Sequence, residues 1–137
     1  MKKYISLVLV MVLLFSSTIT ASATSNSNTI TIQPRWSYLD TVSAYININA
    51  LGIATCEGRA TSRDALTVET VVRLQQLTDT GWSTIKTWSS TSVGSASVSK
   101  TYAVYAGYTY RTSVTGYVYD SNGNIIETGS ASDTFYY

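Results

Sequence analysis

Between Val42 and Ile48 apolar residues take alternate positions, Val42, Ala44, Ile46 and Ile48, while Thr41, Ser43, Asn47 and Asn49 stand opposite. A repeat of two marks a strand with one face buried. Tyr45 is the one large side chain on the polar side. Asn49 to Gly52 predicts a turn, and beyond it Ala54, Cys56, Gly58 and Ala60 form a line of small residues opposite Thr55, Glu57 and Arg59. Small residues in line predict close approach by an opposing sheet or by large aromatics. Residues 65–77 are the best place for a helix. Their apolar residues nevertheless scatter around a helical wheel, whereas Leu66, Val68, Val72 and Leu74 share strand parity, and the β-branched content agrees with a strand.

Asp79-Thr80-Gly81 predicts a turn into a segment where Trp82 and Trp88 share parity and Ile85 opposes them, a pattern suited to a bulge or a two-sided strand. Residues 89–95 read as a Ser/Gly-rich connection, after which residues 96–104 alternate again with Val98, Tyr102 and Val104 on one side. After Ala106-Gly107, the run Tyr108, Tyr110, Val114, Gly116 and Val118 takes one face, and Thr109, Arg111, Ser113, Thr115, Tyr117 and Tyr119 the other. Asp120-Ser121-Asn122-Gly123-Asn124 is a hairpin turn, and residues 125–137 a last strand. Some seven strands, turns every ~8–12 residues and no helical period predict an all-β fold, an antiparallel β-sandwich.

The first residues follow another logic. Lys2 and Lys3 precede an apolar core, Leu7 to Phe15, that is too short to cross a bilayer, and Ala21-Ser22-Ala23 supplies the small-x-small pattern of a cleavage site. Residues 1–23 are therefore expected to be a signal peptide, cleaved after Ala23 with Ala21 and Ala23 as its recognition residues. Residues 24–29 would form a flexible leader and residues 30–137 the sandwich domain, with Pro34 between a short extended piece and the first long strand. The expected location is extracellular.

Cleavage changes the charge. The 137-residue chain carries +1, and losing Lys2 and Lys3 leaves −1. Its remaining basic residues are scattered, so nothing draws the domain to nucleic acid or an anionic membrane. Cys56 is the single cysteine, so no intramolecular disulfide is available and packing must hold the fold. The chain has no histidine, which removes the usual base for serine or cysteine nucleophiles.

Val104-Tyr105-Ala106-Gly107-Tyr108-Thr109-Tyr110-Arg111 resembles the tyrosine corner of immunoglobulin-like and fibronectin type III sandwiches. The resemblance implies that Tyr110 bonds through its hydroxyl to backbone upstream. Thr112 stands where antibody-type domains place a disulfide cysteine, which favours a fibronectin-like variant. PRWSYLDTVSAYININALGIATCEG, LQQLTDTGWSTIKTW and GYTYRTSVTGYVYDSNGNIIETG are also similar in pattern to small secreted proteins of clostridial and related Gram-positive bacteria. That similarity implies a lone sandwich outside the cell and carries over no activity or functional residue.

The candidate chemistry is sparse. The eight acids fall mostly at turns or on outward faces, where solvated charge is the ordinary role. Asp120, Asn122 and Asn124 match the first three ligands of a calcium loop, but Gly123 is misplaced and Ala131 stands where the bidentate Glu belongs, so a hairpin turn is the favoured reading. Aromatics remain. Tyr117, Tyr119 and Arg111 share a polar strand face and are the expected ligand-binding residues, with Trp36 and Tyr136-Tyr137 as additions. Trp82, Trp88 and Tyr110 are expected in the core. The reading that follows is a non-enzymatic extracellular binding module without cofactor, meeting cell-wall or environmental glycan or another extracellular protein. The alternative is a secreted effector, antimicrobial or toxin-like, or a self-associating matrix protein.

Overall fold

Seven strands run through residues 35–137, the part of the chain that the computed structural model describes: β1 (Leu39–Ile48), β2 (Ile53–Ser62), β3 (Thr67–Thr78), β4 (Gly81–Val93), β5 (Ser95–Ala103), β6 (Thr109–Tyr119) and β7 (Ile125–Tyr136). The expected signal peptide with Ala21 and Ala23, the leader, and the extended piece ending at Pro34 lie outside the described residues. All pairings are antiparallel. They form a three-stranded sheet, β1-β2-β5, and a four-stranded sheet, β4-β3-β6-β7. A constant-type immunoglobulin domain keeps its four-stranded sheet on the side of the first two strands. Here β4 pairs with β3 instead, which is why the larger sheet is the one that holds the last two strands.

The core follows the predicted parities. Val42, Ile46 and Ile48 from β1 meet Val68, Val72 and Leu74 from β3 and Val114 and Val118 from β6, all buried. The line of small residues on β2 has its predicted reason: a Cβ on Gly58 would collide with Val72 and Val114, and one on Gly116 of β6 would lie 2.7 Å from the Ala60 Cβ. Thr70, fully buried on β3, ties the sheets by accepting from the Ala60 N–H at 3.1 Å and donating to the Ala96 carbonyl at 2.9 Å.

The tyrosine corner is present. Tyr110 is 1% exposed, and its hydroxyl donates to the Tyr105 carbonyl at 2.8 Å, pinning the chain where it crosses from β5 to β6. Two residues on, Thr112 is buried beside Cys56, so the pair occupies the two ends of the missing inter-sheet disulfide. Burial pushes the Cys56 thiol up, with an opposing pull from Thr112, and a thiol so placed is a small core residue rather than a nucleophile. The Thr112 hydroxyl has no well-formed hydrogen bond.

Strand β4 departs from expectation in its length and in where it places Trp82. It continues through Ser89 to Val93, where the sequence predicts a connection, and the crossing to β5 narrows to Gly94 at φ +76°. It also contains the expected bulge, because Leu74 pairs with Lys86 and Gln75 with Thr84, leaving Ile85 as the extra residue. A bulge inverts the alternation beyond it. Trp88, opposite inward-facing Val72, packs on the core, while Trp82, opposite Leu77, falls on the outer face. The expectation that Trp82 is a core residue is thus corrected.

One flank of the sandwich is closed by side chains. The Glu127 carboxylate, on β7, accepts from the backbone N–H groups of Ser37, Tyr38 and Leu39 at 2.8, 2.7 and 2.5 Å. Asp133 accepts from the Ile46 N–H at 3.0 Å. These two acids are not free surface charge; they join β7 to β1 across the gap between sheets. Trp36, expected among exposed aromatics, packs against the core over Gly129, where an added Cβ would sit 2.6 Å from its ring.

Candidate functional site

The alternation of β6 puts Tyr117, Tyr119 and Arg111 on the outer face of the four-stranded sheet, as the sequence predicts, yet it does not bring them together. Arg111 and Tyr117 are six residues apart on one strand, roughly 20 Å at the rise of an extended chain. Each belongs to a local arrangement. The Arg111 Nε donates to Gln75 Oε1 at 2.7 Å, and its guanidinium lies 4.3 Å from the centre of the Trp82 ring, a cation–π contact. Gln75 passes the chain on by donating to the Thr84 hydroxyl at 2.9 Å.

At the other end of the strand the Tyr119 hydroxyl donates to Glu69 Oε2 at 2.6 Å. That bond to a carboxylate, aided by partial burial, pushes the phenol up to about 12. A shallow depression of about 440 Å³ lies beside it, lined by Thr67, Glu69, Thr91, Tyr119 and the start of the β6–β7 hairpin. Both tyrosines are half-buried.

The hairpin explains the partial calcium motif. Asp120 Oδ1 accepts from the N–H groups of Asn122 and Asn124 at 2.9 and 2.8 Å, and the Asn124 amide nitrogen donates to Asp120 Oδ2 at 3.1 Å. The Asp120 carboxyl is held below its usual range by these bonds. Its oxygens are engaged in building the turn, with Gly123 at φ +82° completing it. Among the described residues no group of three or more Cys, Asp or Glu side chains is placed to hold a metal ion.

A different cluster emerges at the end of the sandwich where β1 turns into β2, β5 crosses to β6, and β7 ends. Backbone bonds lock the three segments together. The Val104 N–H donates to the Gly52 carbonyl at 2.8 Å, and Tyr137 and Tyr108 exchange bonds, the Tyr137 N–H donating to the Tyr108 carbonyl at 3.1 Å. The Tyr137 hydroxyl reaches the Ala50 carbonyl at 3.3 Å. Gly52, at φ +75°, is required: a Cβ there would press to 2.8 Å on the Val104 oxygen.

This frame carries Leu51 at 86% exposure, Tyr105 at 82%, Tyr136 at 72%, Tyr108 at 46% and Tyr102 at 38%. The period-two pattern places Tyr102 and Tyr108 on core-facing parity, but Tyr102 stands in the end layer of the core, opposite buried Ala54, and Tyr108 in the crossing beyond it, and both are exposed to solvent. Five large apolar side chains at one end are a concentration that isolated surface hydrophobics do not produce. No signal along the strands marks this cluster, because its members come from three segments brought together only by the fold; Tyr136 alone is singled out by its place in the sequence. No protein-family model matches the chain, and no curated protein matches it either.

Proposed function

We propose that the protein is a secreted, non-enzymatic binding module and that its aromatic end is the contact surface. The observation that carries this reading is the exposure of Leu51, Tyr105 and Tyr136 on a frame fixed by backbone hydrogen bonds. Rigid aromatics with polar edges stack on sugar rings and anchor protein partners, and they lose little freedom on binding when their backbone is already fixed. The partner is cell-wall or environmental glycan, or another extracellular protein.

Retention of the purified domain on insoluble polysaccharides and wall preparations tests this. Tyr105→Ala/Tyr136→Ala should reduce retention at least about tenfold, the effect of losing ~1.4 kcal/mol of contact, with the melting temperature preserved. Tyr117→Ala/Tyr119→Ala on the sheet face should change it much less. Retention lost only in the second variant would move the site to the sheet face, and absence of retention on every wall, glycan and extracellular protein preparation would remove the reading.

A further inference from the structure

A two-sheet sandwich has four edge strands, and each presents unpaired backbone groups that can recruit another strand unless something guards them. Among the described residues those edges are β1, β7, β5 and β4, and three of the four are guarded. The start of β1 has its N–H groups taken by Glu127, and Ile46 further along is taken by Asp133. Strand β7 supplies those carboxylates and faces β1. Strand β5 is the shortest, nine residues, and carries Lys100 near its middle. Strand β4 is the longest at 13 residues, and its two halves differ. The first half contains the Ile85 bulge and Lys86, whose register opposite Leu74 points a cation toward the core side, and both devices discourage pairing. The second half, Thr87 to Val93 with the sequence TWSSTSV, has no charge, no proline and no bulge.

We propose that Thr87 to Val93 of β4 is a self-pairing edge that joins two copies of this chain, antiparallel, about a twofold axis through Ser90. The occupant is a second copy because the segment complements itself. In that register Ser89 meets the second copy's Thr91 and Ser90 meets its Ser90, hydroxyl-bearing residues directly across from one another, a favourable cross-strand pairing, while Thr87 meets Val93. Val93, 63% exposed, gains the methyl of a threonine. Lys86 falls outside the paired stretch, so no like charges meet. The two four-stranded sheets become one continuous eight-stranded sheet, and the closed symmetry ends the assembly at two, since the Ile85 bulge stops further pairing along the edge. The aromatic end is not part of this interface, so the inference does not depend on what that end binds.

Analytical ultracentrifugation of the purified protein over roughly a thousandfold range of concentration tests it, because a reversible dimer responds to mass action. The mass should double with concentration, and the amides of Thr87 to Val93 should slow in hydrogen exchange as it does. Ser89→Lys/Thr91→Lys changes two exposed positions and sets cation against cation; it should remain monomeric with its circular dichroism unchanged. Mixing it with Ser89→Glu/Thr91→Glu should restore a dimer containing one of each, which a merely misfolded variant would not do. A wild type that stays monomeric over the whole range overturns the proposal, as does a dimer that survives in Ser89→Lys/Thr91→Lys.

Discussion

The two flanks of the sandwich solve one problem by different means. On the β1/β7 flank, carboxylates from Glu127 and Asp133 reach across to edge amides and close the gap between sheets. On the opposite flank, β4 passes into β5 through Gly94 alone, and among the described residues no strand pairs with the outer edge of β4 from Thr87 to Val93. The covalent connection makes an ionic latch unnecessary there, since consecutive strands already hold the two sheets together. Strands β1 and β7 are far apart in sequence, so their closure has to come from side chains. Long-range closure is thus concentrated in two residues on one flank, while the other relies on the continuity of the chain.

The largest change to this contrast is a tie through the middle. Thr112→Cys should form a disulfide with Cys56 under oxidising conditions and stabilise the fold by about 4 kcal/mol through the loop it closes, read as a rise in the denaturation midpoint that reductant abolishes. With that tie in place, loss of either flank should matter less. Next comes the latch itself: Glu127→Ala removes the acceptor for three N–H groups and should cost about 3 kcal/mol, with Ser37 to Leu39 becoming fast in hydrogen exchange. Equal losses from comparable truncations on β4 would erase the distinction between flanks.

The latch also has a pH signature. Burial pushes the Glu127 carboxyl up, but the N–H groups of Leu39, Ser37 and Tyr38, with the nearby Arg63 charge, outweigh it and leave the carboxyl below its usual range. A folded-state value under the unfolded one contributes stability that is complete above the ordinary glutamate range and is lost as pH falls through the lowered value. Glu127→Gln should therefore flatten the acid limb of the stability curve while leaving the neutral-to-alkaline side parallel to wild type. Gly129→Ala, which forces a Cβ against Trp36 and Leu39, should cost about 2 kcal/mol by overpacking, visible as a lower urea midpoint. The smallest effect belongs to the open flank, where Ser92→Ala should shift the stability of the monomer by less than about 0.5 kcal/mol.

Much of the fold is legible in the sequence because period-two alternation reports burial directly. It identifies the inward faces of β1, β2, β3 and β6, and the run leading to Tyr110 marks the corner. The pattern fails on β4, where Ser and Thr occupy both faces of an edge strand and no contrast between buried and solvated positions exists to be read. The tryptophans show a second limit: equal parity predicts a shared face, and a single extra residue at Ile85 separates them. Glu127 shows a third, since its partners lie 88 to 90 residues away and nothing local distinguishes it from a solvated acid. The candidate site is legible only as a class of residue. Aromatics point to it, but Tyr117, Tyr119 and Arg111 sit at separate places on their face, and the exposed group at the end of the sandwich is assembled from three segments.

The carboxylate latch also sets how the domain meets a mechanical load. Tension applied to the chain at Arg35 and Tyr137 enters through β1 and β7, the two strands that Glu127 and Asp133 join. Strand β1 starts beside Glu127 and β7 ends at the far end of the sandwich, so the pull runs along the strands and loads the latch in shear. Bonds sheared together resist far more than bonds peeled one by one. Force applied in this direction loads the Glu127 and Asp133 bonds together, and acid, by protonating Glu127, would lower the force they bear.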